Sequence, residues 1–353
     1  MAHTVFLHVG APKTGTTAFQ ERLARNAASL SRAGISVPGA GRRDPAPLGQ
    51  FHACLDLVGA DWAGPGSGVD GAWRRLVEQV HSTRGTAIIS HEIFASATSD
   101  QAARARRDLT AHGADLHIVY SARDMGRQIA AGWQEEVKQG KEWSFAEYSA
   151  RLRAGLGFFA VPFDLPRVLG TWGYGIAPDR IHLVTVPRER TADELWLRMC
   201  HALRVDPDRA PREAGGSNPS MGAAQTTMMR RLNRRLERSD RPGTYDGLVR
   251  VLIAEETLAG AGDPIVPSEE MLDWADERFA AWAAWIRERD IDVVGDVEDL
   301  RPVRAPQVAD PDRPGPDPQL NAALDALASV VREAEQRARR PGLRDVIRRA
   351  ARR

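Results

Sequence analysis

The stretch HVGAPKTGTT, residues 8–17, ends a short apolar and β-branched run that begins at residue 4. A helical pattern follows it, in which Phe19, Leu23, Ala27 and Leu30 recur at helical spacing. Strand, glycine-containing loop and helix is the arrangement in which backbone N–H groups and a helix N-terminus surround an anion. The stretch therefore predicts a phosphate-binding loop near the start of an α/β domain.

The lysine of this loop is displaced. A nucleotide-hydrolysing P-loop reads G-x-x-x-x-G-K-[ST], with its lysine directly after the second glycine. Gly10 and Gly15 have that separation, but Thr16 occupies the lysine position and Lys13 lies three residues earlier. The strand-like segments 87–90 and 116–120 are followed by His91-Glu92 and by Ser121-Ala122-Arg123, where a magnesium-binding enzyme would carry an acidic strand end. These departures disfavour a nucleoside triphosphate, and we expect no metal.

The fold class follows from the alternation of strands and helices. Strand patterns over residues 4–10, 87–90, 116–120 and 181–186 alternate with helical patterns over 100–112, 125–139, 144–152 and 192–203. Such alternation predicts a P-loop-type three-layer α/β fold with a mostly parallel sheet. Beyond residue 205 strand signals stop, and helices are expected over 221–236, 247–259 and 269–289.

These patterns divide the chain into three regions. Residues 1–300 are expected to form one domain, with the sheet in 1–205 and a helical part in 206–300. Residues 302–318 hold six prolines and several aspartates, so 301–318 is predicted to be a linker. Residues 319–353 are expected to form a C-terminal helix and an arginine-rich tail. The Gly-, Pro- and Asp-rich segment 38–71 is predicted to be a long loop near the substrate.

Composition sets limits on partners and compartment. The chain has 353 residues and a net charge of +1, so no overall field favours nucleic acid. Its two cysteines, Cys54 and Cys200, have neither disulfide-framework nor zinc-site spacing. No signal-peptide pattern and no apolar run of about 20 residues is present, so we expect a cytoplasmic protein without a transmembrane segment.

The hexapeptide PKTGTT, residues 12–17, closely resembles the 5′-phosphosulfate loop P-K-[ST]-G-[ST]-[ST] of sulfotransferases that use 3′-phosphoadenosine 5′-phosphosulfate (PAPS). The resemblance implies that Lys13 reaches the oxygen bridging phosphate and sulfate. It also implies that a cradle for the phosphosulfate is formed by Pro12, Lys13, Thr14, Gly15, Thr16 and Thr17. One ammonium can stabilise the leaving oxygen of a singly charged sulfuryl group without Mg²⁺, a chemical reason for the early lysine.

The same family holds the 3′-phosphate with an arginine after a later strand and a serine eight residues on. Arg123 matches the arginine, whereas the serine position is Ala131, whose methyl group cannot donate a hydrogen bond. Arg127 and Gln128 lie on the same helix face as Ala131 and are candidates to replace the donor. The run ARDMGRQIAAGWQEEVKQG resembles a bacterial, largely actinobacterial, branch of the family, in which N-x-S-[LM]-G wording similar to residues 218–222 also occurs.

Transfer to a hydroxyl requires a group that removes the proton of the acceptor. His91 and Glu92 are the candidates, and adjacent side chains leaving a strand point in opposite directions, so one of them faces the site. The wording SHEIF resembles the heparan-modifying branch, which uses a glutamate, so we expect Glu92 to be the base with His91 as the alternative. The alternative interpretation is that Glu92 only caps a helix or forms an ion pair. His8 is expected to be a satisfied core histidine.

Residues 332–353 contain nine arginines against Glu333, Glu335 and Asp345, a local excess of six positive charges. Contact with an anionic membrane or an acidic partner would use this charge, while a solvated helix is the interpretation that the sequence alone favours.

Together with the α/β pattern, the resemblance implies a PAPS-dependent sulfotransferase acting on a hydroxyl or amine of a carbohydrate, lipid or small-molecule acceptor. The alternatives are a kinase-like P-loop enzyme and a non-catalytic nucleotide-binding protein.

Overall fold

The computed structural model describes residues 4–41, 45–60, 69–189, 193–215, 219–236, 245–305 and 310–339. Its central feature is a six-stranded sheet in the order β2-β3-β1-β4-β5-β6, in which every neighbouring pair is parallel. The strands are β1 (Thr4–His8), β2 (Ile35–Ser36), β3 (Thr86–Ser90), β4 (Asp115–Ala122), β5 (Ile181–Thr185) and β6 (Asp292–Val294). The predicted α/β class and parallel sheet are confirmed.

Helices occupy most of the chain between and after the strands. They are α1 (Thr16–Arg25), α2 (Ala27–Arg32), α3 (Ala46–Val58), α4 (Ala72–Ser82), α5 (Ser99–Thr110), α6 (Met125–Lys138), α7 (Phe145–Arg153), α8 (Leu165–Trp172), α9 (Glu194–Ala202), α10 (Ala223–Asn233), α11 (Glu269–Arg289) and α12 (Pro316–Arg339). A π-helix spans Tyr245–Thr257. Within the described residues, no helix has the length and apolar character needed to span a bilayer.

The described residues fall into two compact units. The first lies within Met1–Ile129, Arg151–Ser217 and Ser268–Arg304 and contains the whole sheet. Its core is built from the inward side chains of the strands and of α1 and α9, with Phe6, Ile88, Val119, Phe19 and Met199 among them. Burial on both faces explains why these strands read as continuous apolar runs.

The second unit lies within Ala130–Ala150, Asn218–Pro267 and Ala305–Arg353. Here α12 packs against α10 and the π-helix. Asp312 accepts hydrogen bonds from the N–H groups of Phe145 (2.7 Å) and Ala146 (2.9 Å) and pairs with Arg230 at 2.7 Å. Within the predicted linker, residues 310–315 are therefore fixed to the unit by a helix cap and an ion pair.

Two expectations about element positions were wrong. The predicted loop 38–71 contains α3, which starts after Pro45, has a proline in its first turn and ends at Gly59 with φ +70°. Proline and glycine occur in loops, but they are also common where helices start and end. Their abundance in this segment therefore indicates a loop, although they flank a helix. The sheet also has a strand beyond residue 205, since β6 pairs with β5. It was missed because its three residues are too few to give a periodic signal.

Candidate functional site

The predicted site residues follow three neighbouring strands. β1 lies between β3 and β4, and all three run in the same direction, so their carboxyl ends meet at one edge of the sheet. Residues 9–15 follow β1, His91 and Glu92 follow β3, and Arg123 follows β4. This edge, where chains leave adjacent strands, is where open parallel sheets bind ligands.

The first half of the loop is an extension of the sheet. Val9 and Ala11 donate backbone hydrogen bonds to the carbonyls of Val119 (2.9 Å) and Ser121 (2.7 Å), and Ser121 donates back to the Gly10 carbonyl at 2.6 Å. These bonds fix the path of the chain between β1 and α1. The loop is thus held by the strand that also delivers Arg123.

Gly15 closes the loop and begins α1. Its φ of +91° lies in the left-handed region, and a Cβ built there would come within 2.8 Å of Leu195 Cδ2. Gly15 is the N-cap of α1 and offers no side chain to accept from the first-turn N–H groups, whereas Thr98 caps α5 through its hydroxyl. The N–H groups at a helix start lack intrahelical partners and carry partial positive charge. The start of α1 therefore suits an anion.

The threonines of the loop take different positions. Thr14 is buried, and its hydroxyl donates to the Ala11 carbonyl at 2.6 Å and lies 2.5 Å from Ser121 Oγ. Thr16 and Thr17 form the first turn of α1, with Thr16 buried and Thr17 exposed. The Thr14 side chain thus braces the loop from inside, and Thr17 presents the more accessible hydroxyl.

Lys13 and Arg123 meet at the loop. Lys13 is half-buried with φ +67°, and its backbone carbonyl accepts a hydrogen bond from Arg123 Nη1 at 3.1 Å. Arg123 is half-buried and lies just past the last residue of β4. Two cationic side chains therefore occupy the same edge, one within the loop and one beside it.

The candidates to replace the missing serine have other partners. Gln128 is buried, and its Nε2 donates to the Pro12 carbonyl at 3.2 Å, so it supports the loop from behind. Arg127 pairs through Nε with Asp124, and its Nη1 donates to the Arg188 carbonyl at 3.2 Å. Its Nη2 is buried and has no hydrogen-bond partner within the described residues. Of the two, Arg127 is the one with a buried side-chain nitrogen that has no partner among the described residues. Ala131 is buried.

The acidic residue next to Arg123 is occupied locally. Asp124 is fully buried, and its Oδ1 accepts from the backbone N–H of Arg127 at 2.9 Å while its Oδ2 pairs with the Arg127 side chain. Both carboxylate oxygens therefore serve the start of α6.

His91 and Glu92 differ sharply in environment. His91 is buried, packs against Phe51 with ring centroids 5.3 Å apart and ring planes tilted by 33°, and accepts from the Ile93 N–H through Nδ1 at 3.2 Å. Burial lowers the pKa of His91, with the nearby Glu92 opposing that shift. Glu92 is half-buried, and Gln20 Nε2 of α1 lies 3.4 Å from its Oε2. The Glu92 carboxylate is thus the more accessible of the two bases, and its contact with Gln20 connects it to α1, the helix that follows the loop.

A buried polar chain beneath the loop was not anticipated as a unit. His8 Nδ1 lies 2.7 Å from Ser90 Oγ, and His8 Nε2 lies 3.1 Å from Ser121 Oγ, which contacts the Thr14 hydroxyl. Burial lowers the pKa of His8 to about 3, so the imidazole is neutral. His8 is a satisfied core histidine, as expected. It is the last residue of β1, and its side chain connects the ends of the neighbouring strands β3 and β4.

Gln20 is the other residue that sequence reasoning missed. It also donates to the Ser90 carbonyl at 2.9 Å and so joins α1 to the end of β3. Its position four residues after Thr16, on the same helix face, was the signal that could have identified it.

The donor set suits an anionic ligand. An uncapped helix start, the Lys13 loop and the hydroxyl of Thr17 lie at one edge of the sheet, and Arg123 contacts the same loop through the Lys13 carbonyl. The similar wording at residues 218–222 begins outside the described residues, which resume at Pro219. No protein-family model matches the chain, and neither the curated proteins nor the solved structures include a significant match.

Proposed function

We propose that this protein is a cytoplasmic sulfotransferase that takes the sulfuryl group from PAPS, a member of the family whose phosphosulfate loop residues 12–17 resemble. One observation carries the proposal: Lys13 lies inside the loop of the central strand, with Arg123 from one neighbouring strand and Glu92 from the other at the same edge. This arrangement provides a cation at the bond to be broken, a second cation for a second phosphate, and a base.

The bound co-substrate supplies a sulfuryl group on a phosphate oxygen. Lys13, with the N–H groups at the start of α1, stabilises negative charge on the oxygen that leaves. Pro12, Thr14 and Gly15 shape the loop, while Thr16 and Thr17 form the first turn of the helix beyond it. Arg123 takes the 3′-phosphate, and Arg127, whose Nη2 is buried without a hydrogen-bond partner among the described residues, is a further candidate donor.

Glu92 acts as the general base. Its carboxylate accepts the proton of the acceptor hydroxyl or amine while that atom forms its bond to sulfur and the sulfur–oxygen bond to phosphate breaks. Gln20 orients Glu92 through its amide, and His91 fixes the chain that carries Glu92 by capping the turn at Ile93. The acceptor is a carbohydrate, a lipid or a small molecule.

The proposed chemistry does not call for a metal. The transferred group carries a single negative charge, which one ammonium and a helix start can balance at the leaving oxygen. Asp124, the acidic residue nearest to Arg123 in sequence, uses both carboxylate oxygens within its own helix start.

The test is a pair of calorimetric titrations of the full chain. We expect adenosine 3′,5′-bisphosphate to bind at least tenfold more tightly than ADP with Mg²⁺, because only the bisphosphate engages Arg123. Lys13→Met should retain bisphosphate binding within severalfold but lower turnover of PAPS by a factor of about 10² to 10³, the usual effect of removing one transition-state donor. Tighter binding of ADP with Mg²⁺ would favour a kinase-like enzyme and overturn the proposal.

A further inference from the structure

A row of large apolar side chains lies on the solvent side of α12. Leu320, Leu324, Leu327 and Val331 are 58%, 54%, 59% and 50% exposed. Their spacing of four, three and four residues places them on one stripe of the helix. An exposed stripe of this kind, as opposed to single exposed apolar residues, marks an interaction surface.

The stripe is not the face by which α12 joins its own unit. Ala322, Ala326 and Ser329 are buried, and they lie on the side of the helix opposite the stripe. The helix packs against α10 and the π-helix with small residues. The large residues are therefore directed outward, the reverse of the usual amphipathic arrangement.

The sequence that follows this stripe is strongly positive. Residues 316–331 contain only Asp317 and Asp325 as charged residues, whereas residues 332–353 contain nine arginines and three acidic residues, an excess of six. Of the acidic residues, Glu333 forms an ion pair with Arg337 at 2.7 Å along the helix. Because the whole chain has a net charge of only +1, this excess is a local feature.

We propose that α12 and the arginine-rich segment after it bind the surface of an anionic membrane. The stripe enters the boundary between head groups and acyl chains, and the arginines contact anionic head groups. Neither element suffices alone, because a short apolar stripe gives weak partitioning and a basic segment is screened by salt. This surface lies in the second unit and uses none of the residues of the phosphate loop.

A lipid surface suits the stripe better than a protein partner does. A stable protein interface buries roughly 800 Å² on each partner. Four half-exposed aliphatic side chains supply only a fraction of that area. A bilayer requires no matching shape and supplies the negative charge that the arginine excess complements.

The experiment is co-sedimentation of the full chain with sucrose-loaded vesicles. We expect binding to vesicles of phosphatidylcholine with 30% phosphatidylserine, a composition chosen as about that of an anionic leaflet. Binding should weaken as salt rises, and pure phosphatidylcholine vesicles should bind at least tenfold less. Replacing Arg344, Arg348 and Arg349 with Gln should lower the partition coefficient by about a hundredfold.

The stripe is tested by L324Q/L327Q, which should weaken binding about tenfold or more. L156Q is the matched control, because Leu156 is 55% exposed and lies away from α12 in sequence, and it should bind like the unmodified chain. Equal binding to neutral and anionic vesicles, or no binding to either, overturns the proposal. So does concentration-dependent self-association that L324Q/L327Q abolishes, since it would assign the stripe to a second copy of the chain.

Discussion

Glu92 and His91 are neighbours in sequence with different surroundings. His91 is buried with one ring nitrogen accepting from the Ile93 N–H, while Glu92 is half-buried beside Gln20. A proton acceptor in catalysis must reach the substrate, so the more accessible carboxylate is the better candidate. The cap made by His91 gives the imidazole a role that does not require contact with the acceptor.

We expect Glu92→Gln to keep the affinity for adenosine 3′,5′-bisphosphate within twofold and to lower turnover on a true acceptor by a factor of about 10² to 10⁴, the range for loss of general-base catalysis. Calorimetry measures the first quantity and sulfate transfer the second.

The matched variant is His91→Asn, which can still cap the turn through its side-chain oxygen. It should retain turnover within severalfold. If His91→Asn abolishes transfer and Glu92→Gln does not, the base is the imidazole. If both variants remain active on an acceptor, neither residue is the base.

At this scale the sequence predicted which residues gather, but not all of their contacts. The family resemblance implied that Lys13 and Arg123 hold the same co-substrate, and in the structure Arg123 donates a hydrogen bond to the Lys13 carbonyl. The partner of Gln128, the Pro12 carbonyl, depends on a rotamer and on the path of a loop 116 residues earlier. Periodicity carries no information about either.

Among the elements, the start of α1 has the most specific requirement. Gly15 combines a φ of +91° with a close approach to Leu195. Adding a methyl group forces a left-handed conformation on an L-residue and moves the Leu195 side chain. Both effects displace the N–H groups that we propose hold the phosphosulfate.

We expect Gly15→Ala to lower the free energy of unfolding by about 3 kcal/mol, because the clash with Leu195 adds to the roughly 1–2 kcal/mol that a left-handed conformation costs an L-residue. The affinity for adenosine 3′,5′-bisphosphate should fall at least tenfold. Denaturant titration and calorimetry give the two values.

Gly113→Ala supplies the comparison. Gly113 has φ +75° and nothing within 4 Å of an added Cβ, so it bears the backbone cost without a clash. Its bisphosphate affinity should be unchanged. Wild-type affinity in Gly15→Ala would contradict the placement of the ligand at the start of α1.

Elements were predictable where burial imposes a period. The stripe Leu272, Ala275, Phe279, Trp282 and Ile286 is buried along α11, as its spacing indicated. The helix α3 has buried residues too, but its proline and glycine neighbours resemble loop composition. The three-residue strand β6 is defined by pairing with β5, a long-range contact that no local window contains.

For the whole molecule, buried neutral histidines connect stability to acidity. Burial, aided by the nearby His182, Arg204 and Arg180 and opposed by Asp115, lowers the pKa of His117 to about 4. Burial lowers the pKa of His8 to about 3. In the unfolded chain these histidines have a pKa of about 6.5 and take up protons below that pH. The folded state keeps them neutral there, so protonation stabilises the unfolded state relative to the folded one.

The full stabilisation is therefore present above pH 6.5 and is lost as the pH falls towards 4. We expect the free energy of unfolding to decline by up to about 1.4 kcal/mol per pH unit for each histidine in this window. Denaturant titrations at pH 7, 6 and 5 measure the slope. His117→Asn should reduce it, and a stability that is constant between pH 7 and 5 would contradict the assignment.

The sheet that carries the site has very short outer strands. β2 contributes two residues at one side and β6 three at the other, while the four strands between them have five to eight. A long exposed edge offers unpaired N–H and C=O groups to the strands of other chains. Because both edge strands are short, few unpaired backbone groups are available to pair with another chain, which disfavours edge-to-edge aggregation. During synthesis, β5 is the edge strand until β6 has formed, because residues 292–294 are made more than a hundred residues after β5.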